Sequence, residues 1–348
     1  MKHAFTSLMA FMLILTALTL LSGCTKYNAK SIAPPEMSPP ITNALPTLSS
    51  ASGSEPPVEY VTIKGIQYNT SLTCLQLNAI GLSDEDIIPL RHMANLTTLS
   101  LLLNQISDLS PLAGLTNLTM LDLGNNEIGD IAPLAGLTNL TNLDLSRNQI
   151  IDLTPLAGLT NMAELYLSSN KFNDIAPLAG LTNLTRLVLG DNKIGDIAPL
   201  AGLTNLTWLD LDYTHISDIA PLAGLTNLAE LYSNDNQISD ITPLTGLASL
   251  TKLELGGNSI IGDSKISDIA PLAGLINLSI LNLRDNQISD ITPLSGLTNL
   301  TSLQLRNNQI SDLLSLAGLT NLTYLDLKGN QISDWSPVEH VRYVSGRH

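Results

Sequence analysis

The chain has 348 residues, a formal net charge of −15, 44% hydrophobic and 14% charged residues, and only 4% aromatics. The charge argues against a nucleic-acid reader, because a phosphate polyanion requires a basic face. Low charge density with high apolar content argues against wholesale disorder. Two cysteines are too few for a disulfide framework, and His3, His92, His215, His340 and His348 are nowhere at metal-ligand spacing. Metal, nucleotide-loop and hydrolase chemistry are therefore disfavoured before any motif is sought.

Met1-Lys2-His3 is a short basic start, and Ala4 to Leu21 is almost entirely apolar. That run is near the minimum for spanning a bilayer. Its N-terminal place and small-residue exit instead predict a signal peptide over 1–23. The exit, Leu21-Ser22-Gly23-Cys24, resembles the lipobox of bacterial lipoproteins. The resemblance implies cleavage before Cys24 and acylation of that cysteine, by chains such as palmitate. More than one acyl chain gives stable anchoring, at about 0.8 kcal/mol per buried methylene. The alternative, an uncleaved N-terminal anchor with an incidental cysteine, also puts the remainder outside the cytoplasmic membrane, at the cell envelope or surface.

Residues 24–57 follow as a tether. Seven prolines (34, 35, 39, 40, 46, 56 and 57) lie here among Ser, Thr and Ala. Such a segment buries too little apolar surface to fold, and proline keeps it extended.

The folded domain is expected over 58–348. From Leu72 the chain repeats with a period of 22, in the pattern L-x-x-L-x-L-x-x-N-x-I. Leu118, Leu121, Leu123, Asn126 and Ile128 set it, and Leu140, Leu143, Leu145, Asn148 and Ile150 repeat it. About twelve units span 72–334. All eleven prolines outside the tether sit at one repeat position, with Ser315 the only substitute.

This is the leucine-rich-repeat signature, and the short unit resembles the internalin-type repeats of bacterial surface proteins. The resemblance implies an α/β-type solenoid: a right-handed superhelix with one parallel strand per coil on the concave face and short 3-10 or irregular turns on the convex face. Inward leucines of one unit close no core, so neighbours must stack. Each asparagine is placed to bond backbone at the turn leaving the strand. The aspartate column from Asp108 to Asp334 reads as caps for short helical turns. Such a column could also recruit calcium, but each side chain has local backbone work, so no metal or cofactor is expected. Residues 58–71 and 335–348 are expected to cover the two ends. The array's contacts are all between neighbouring coils, which suggests a monomer.

Function should lie where the repeat varies. In L1-x2-x3-L4-x5-L6-x7-x8-N9, positions x3, x5, x7 and x8 fall on the concave face. Of six aromatics in the array, Phe172 takes a core position. Tyr166, Trp208, Tyr213, Tyr232 and Tyr324 fall on the face, four of them in units five to eight. The same units hold two breaks: Thr214 replaces the ladder asparagine and Ser233 a core leucine. Tyr166, Arg186, Trp208, Asp210, Tyr213, His215 and Tyr232 therefore form the candidate partner-binding patch, because exposed Trp and Tyr with Arg nearby is hot-spot composition. Against this, Arg186 could simply pair with Glu164 and stack on Trp208, stabilising the sheet alone.

Charge also varies along the array. Units six to eight carry Asp191, Asp210, Asp212, Glu230 and Asp235, whereas units ten to twelve carry Arg284, Arg306 and Lys328 in one x7 column. Six extra residues, Ile261–Ile266, lengthen one unit; surface loops tolerate such insertions at little cost. Together these features predict a non-catalytic, lipid-anchored module that binds a protein of the host or the envelope. An envelope spacer without a ligand and carbohydrate binding through the aromatics are the competing readings. An enzyme is not expected, because the carboxylates repeat with the scaffold and Ser217 beside His215 is a consensus residue.

Overall fold

The computed structural model describes residues 59–258 and 265–347. The signal peptide, Cys24, the tether and most of the 261–266 insertion lie outside those residues. Thirteen short parallel strands form one sheet in strict chain order. They are β3 Cys74–Gln76, β4 Thr98–Ser100, β5 Met120–Asp122, β6 Asn142–Asp144, β7 Glu164–Tyr166, β8 Arg186–Val188, β9 Trp208–Asp210, β10 Glu230–Tyr232, β11 Lys252–Glu254, β12 Ile280–Asn282, β13 Ser302–Gln304, β14 Tyr324–Asp326 and β15 Tyr343–Ser345. At about 4.8 Å per strand the sheet is roughly 55–60 Å long. Each strand covers x3, L4 and x5, so L4 points inward and its two neighbours outward.

Short 3-10 turns return the chain on the far side. Proline stands at the start of nearly every one, as in Ala132–Leu134 and Thr154–Leu156, where a missing N–H costs nothing. In all but the first of these turns the aspartate two residues before it accepts its first N–H: Asp130 Oδ1 takes Ala132 N–H and Asp152 Oδ1 takes Thr154 N–H, both at 2.8 Å. Seven apolar side chains per coil fill the interior. In one coil they are Leu140, Leu143, Leu145, Ile150, Leu153, Leu156 and Leu159, and all are fully buried.

Backbone polarity inside the stack is neutralised by the ladder asparagines. Asn148 Nδ2 donates to Leu145 O in its own coil and to Leu123 O in the preceding one, both at 3.0 Å. Its Oδ1 accepts Ile128 N–H from the preceding coil at 3.0 Å. A second ladder, invisible as such in the repeat, runs through the N-L-T segment before the strands. Thr141 Oγ1 donates to Thr119 O at 3.1 Å and Asn139 Nδ2 to Thr116 O at 2.9 Å.

The ends differ from simple covers. At the N-terminus β1 (Tyr60–Ile63) and β2 (Ile66–Asn69) form an antiparallel hairpin, and Val61 and Ile63 plug the first coil. Unit one starts 24 rather than 22 residues before the next, and its longer return folds as α1 (Asp84–Ile87). At the other end residues 335–347 form a thirteenth, shortened coil. Pro337 to Val344 spans seven residues where Pro133 to Leu143 spans ten, the T-N-L segment being absent. Val344 pairs with Leu325 and extends the sheet.

Removing a ladder side chain orphans buried backbone groups, each costing about 1–3 kcal/mol. Asn148→Ala should therefore destabilise by roughly 2–4 kcal/mol. Asn139→Ala, on the exposed ladder, should cost less than about 1 kcal/mol. Urea unfolding midpoints of the two variants check the contrast.

Candidate functional site

The parallel register stacks like positions on neighbouring strands. Column x3 runs Glu164, Arg186, Trp208, Glu230, Lys252, and column x5 runs Tyr166, Val188, Asp210, Tyr232, Glu254. Within them one connected group forms. The Arg186 guanidinium carbon lies 4.7 Å from the Trp208 ring centroid. Trp208 and Tyr232 rings are 5.0 Å apart with a 44° tilt. Lys252 Nζ sits 4.7 Å from the Tyr232 centroid and 3.5 Å from Glu254 Oε1. Glu230 fixes both rings, accepting Trp208 Nε1–H at 3.0 Å and the Tyr232 hydroxyl at 2.6 Å through the same oxygen. Burial first, and Glu230 second, raise the Tyr232 phenol above its ordinary range. All four residues of this cation–ring–ring–cation row are half-buried.

Other members of the sequence-predicted patch lie elsewhere. Tyr166 is only 8% exposed; its hydroxyl donates to Glu164 at 2.8 Å. Glu164 is thereby occupied, and no ion pair joins it to Arg186 among the described residues. Asp210 is 6% exposed and accepts Asp212 N–H at 2.8 Å. Burial pushes its carboxyl up to about 6, and burial together with Asp210 raises Asp212 well above its ordinary value. A ligand arriving on the face meets neither Tyr166 nor Asp210 broadly.

Tyr213 and His215 lie on the rim, both exposed. Tyr213 has φ +57 because position x8 adopts the left-handed conformation in coil after coil, at Leu103, Arg147 and Ser169 as well as at Asn125, Asp191, Asp235 and Asn307. Asn, Asp and Gly suit that region, whereas a bulky residue there costs about 1–2 kcal/mol. Tyr213 is held by Asp235, and burial plus that contact push its phenol up to about 12. His215, at φ +65, is a left-handed residue outside the column.

The two pattern breaks are interior. Thr214 and Ser233 are both fully buried. Thr214 Oγ1 donates to Leu211 O at 2.8 Å, and Asn236 Oδ1 accepts Thr214 N–H at 3.0 Å. Asn236 Nδ2 reaches the Ser233 hydroxyl at 3.2 Å. They form one compensated polar cluster between coils and present nothing to the face.

A further feature went unread in the sequence. Arg284 Nη2 reaches Asp235 Oδ2 at 3.1 Å across the whole intervening coil, while Nη1 meets Asp285 Oδ2 at 3.2 Å. Gly256 and Gly257 at x7 and x8 make this possible: a Cβ on Gly256 would stand 2.6 Å from Arg284 Cγ. The adjacent glycines were the available signal. No group of three or more metal-type ligands occurs among the described residues, and no helix there is long and apolar enough to cross a membrane.

A single-layer parallel sheet with a 3-10 return per coil and an asparagine ladder defines a leucine-rich-repeat solenoid. The sequence matches the family described as Leucine Rich repeats (2 copies) over residues 94–136, 116–158, 160–202 and 298–340, and that described as Leucine Rich repeat over 274–291. An internalin, inlF, of Listeria monocytogenes is 37% identical, covers 81% of this chain and 90% of its own, and superposes with a TM-score of 0.70. Internalin C2 of the same species is 42% identical over 54% of this chain and 86% of its own, with a TM-score of 0.52. A plant peptide hormone receptor in complex with RGF2 shares the fold alone, at 22% identity and a TM-score of 0.66, over 80% of this chain and 48% of its own. No protein of curated function matches the sequence. The chain belongs to the internalin-like leucine-rich-repeat proteins of bacteria.

The buried acids set a pH dependence. The folded-state pKa of Asp210 lies above its unfolded value, so the folded state binds the extra proton. Stability is then gained as pH falls from about 7 toward 4 and lost as it rises through about 6. Asp210→Asn keeps the acceptor for Asp212 N–H. It should raise stability at pH 7.5 by on the order of 2 kcal/mol and flatten the pH profile, as thermal unfolding between pH 4.5 and 8 will show.

Proposed function

We propose that this chain is a non-catalytic binding module, held by lipid at the outer side of a bacterial cytoplasmic membrane or at the cell surface, which takes a protein partner on the concave face of its central coils. The observation that carries the reading is the row Arg186–Trp208–Tyr232–Lys252. The scaffold's leucines, asparagines and aspartates close the fold without it. The row fixes two large aromatic rings and two cations at half-exposed, neighbouring positions. Rigid Trp, Tyr and Arg side chains bind at low entropic cost and dominate protein interfaces. The partner seat is accordingly narrower than the seven-residue patch: Arg186, Trp208, Tyr232 and Lys252 at its centre, Tyr213 and His215 on its rim, Tyr166 and Asp210 beneath.

Leucine-rich-repeat solenoids are generally interaction scaffolds, and their curvature creates extended concave binding surfaces. Membership of the internalin-like family agrees with an extracytoplasmic place. The lipobox-like Leu21-Ser22-Gly23-Cys24 supports Cys24 as the acylated residue, with 24–57 as the spacer that lifts the solenoid from the membrane.

Trp208→Ala combined with Tyr232→Ala should abolish capture of the partner from host or envelope extracts while leaving the unfolding midpoint within a few degrees of the parent. Unchanged capture would refute the seat, and recognition only on a glycan array would replace protein by carbohydrate. For the anchor, globomycin treatment of expressing cells should accumulate the uncleaved precursor, read by immunoblot. Normal processing under the drug would remove Cys24 as the lipidated residue.

A further inference from the structure

We infer that the C-terminal end of the concave face is a second binding surface, for an acidic polypeptide segment that also carries an apolar or aromatic residue. Column x3 ends in Tyr324 and Tyr343, register partners on β14 and β15, with 40% and 56% of their surface exposed. Two large rings left in solvent at facing positions of a sheet are an apolar patch without a structural task. Arg342 covers one face of Tyr343, its guanidinium carbon 5.0 Å from the centroid.

Column x7 supplies the charge. It runs Arg284, Arg306, Lys328 on neighbouring coils. Arg284 is neutralised by Asp235 and Asp285. Arg306 and Lys328 are exposed, and neither enters an ion pair among the described residues. The nearest face carboxylate along the strand, Asp326, accepts Lys328 N–H at 3.1 Å. The end of the face is therefore cationic and aromatic, whereas coils six to eight are acidic.

The spacing selects the ligand. Positions x3 and x7 are four residues apart, and since the strand itself ends at x5 they lie at most about 13 Å apart at roughly 3.3 Å per residue. A sugar ring stacked on one tyrosine would hold its anionic group much nearer than that. An extended polypeptide bridges the gap with four residues, placing an apolar side chain on Tyr324 and Tyr343 and a carboxylate on Arg306 and Lys328. Gln304, half-buried on β13 beside Asp326, offers both donor and acceptor to a passing backbone. Arginine's planar fork takes a carboxylate in two parallel hydrogen bonds. This surface lies apart from the Arg186–Lys252 row, so failure of either leaves the other standing.

The test measures binding of three defined probes to the full chain by fluorescence anisotropy: a random Glu/Tyr copolymer, polyglutamate, and heparin. The copolymer should bind more tightly than polyglutamate. Its affinity should fall roughly tenfold or more in Arg306→Glu/Lys328→Glu and again in Tyr324→Ala/Tyr343→Ala. Trp208→Ala/Tyr232→Ala should leave it unchanged. Circular dichroism confirms that each variant keeps the parent fold, which these exposed positions do not determine. Absence of copolymer binding, or equal binding by the charge-reversed variant, overturns the proposal. Tighter heparin binding that is lost in both double variants overturns it in favour of an anionic polysaccharide.

Discussion

No coil of this solenoid closes its own hydrogen bonds. The ladder asparagines serve carbonyls of their own coil and of the preceding one, and accept an N–H from the preceding one as well, as Asn126 does with Leu123, Leu101 and Ile106. Burying a carbonyl or N–H without a partner costs about as much as a large side chain gains by burial. Stacking is thus enforced twice, by the leucines that need a neighbour to exclude water and by the asparagines that need a neighbour to satisfy the backbone. Both requirements recur at every coil, and the sheet, the returns and the regular register follow.

Because the stack settles its own energetics at fixed positions, the outward positions of the strands are released. In several coils those positions hold a residue that bonds to the turn beside it, as Asp144 does with Ser146 N–H. In the central coils they hold an ordered row of cations and aromatics instead. At its edge Tyr213 occupies a left-handed position that Asn, Asp or Gly fill more easily, as Leu103 and Arg147 do in coils away from the row. Acidic side chains crowd the same coils, and where burial is greatest, at Asp210 and Asp212, their protonation is coupled to folding.

The periodicity made much of this legible. Core leucines, ladder asparagines, turn prolines and capping aspartates each recur every 22 residues, and a contact made at one coil is made at all of them. The row Arg186–Trp208 was legible too, because adjacent strands place equal repeat positions side by side. Other parts were hidden. The polar breaks Thr214 and Ser233 were visible as a lost ladder asparagine and a lost core leucine, but not that they compensate each other through Asn236 inside the coil. Arg284 passes over a coil because two glycines leave room, a relation between residues 49 apart that no single repeat displays. The terminal segments fell outside the period, and their forms, a hairpin plug and a shortened thirteenth coil, depended on which apolar residues met the open core.

The sequence by itself determined the solenoid, its register, its inward and outward faces and the composition of its variable columns, because each is a property of one repeat copied along the chain. Only the tertiary structure decided which outward side chains remain available. That depends on the sizes and charges of neighbours on the same and adjacent coils: Tyr166 is buried with its hydroxyl on Glu164, Asp210 is buried with its carboxylate on Asp212 N–H, and the Glu230 carboxylate locks Trp208 and Tyr232 where solvent still reaches them.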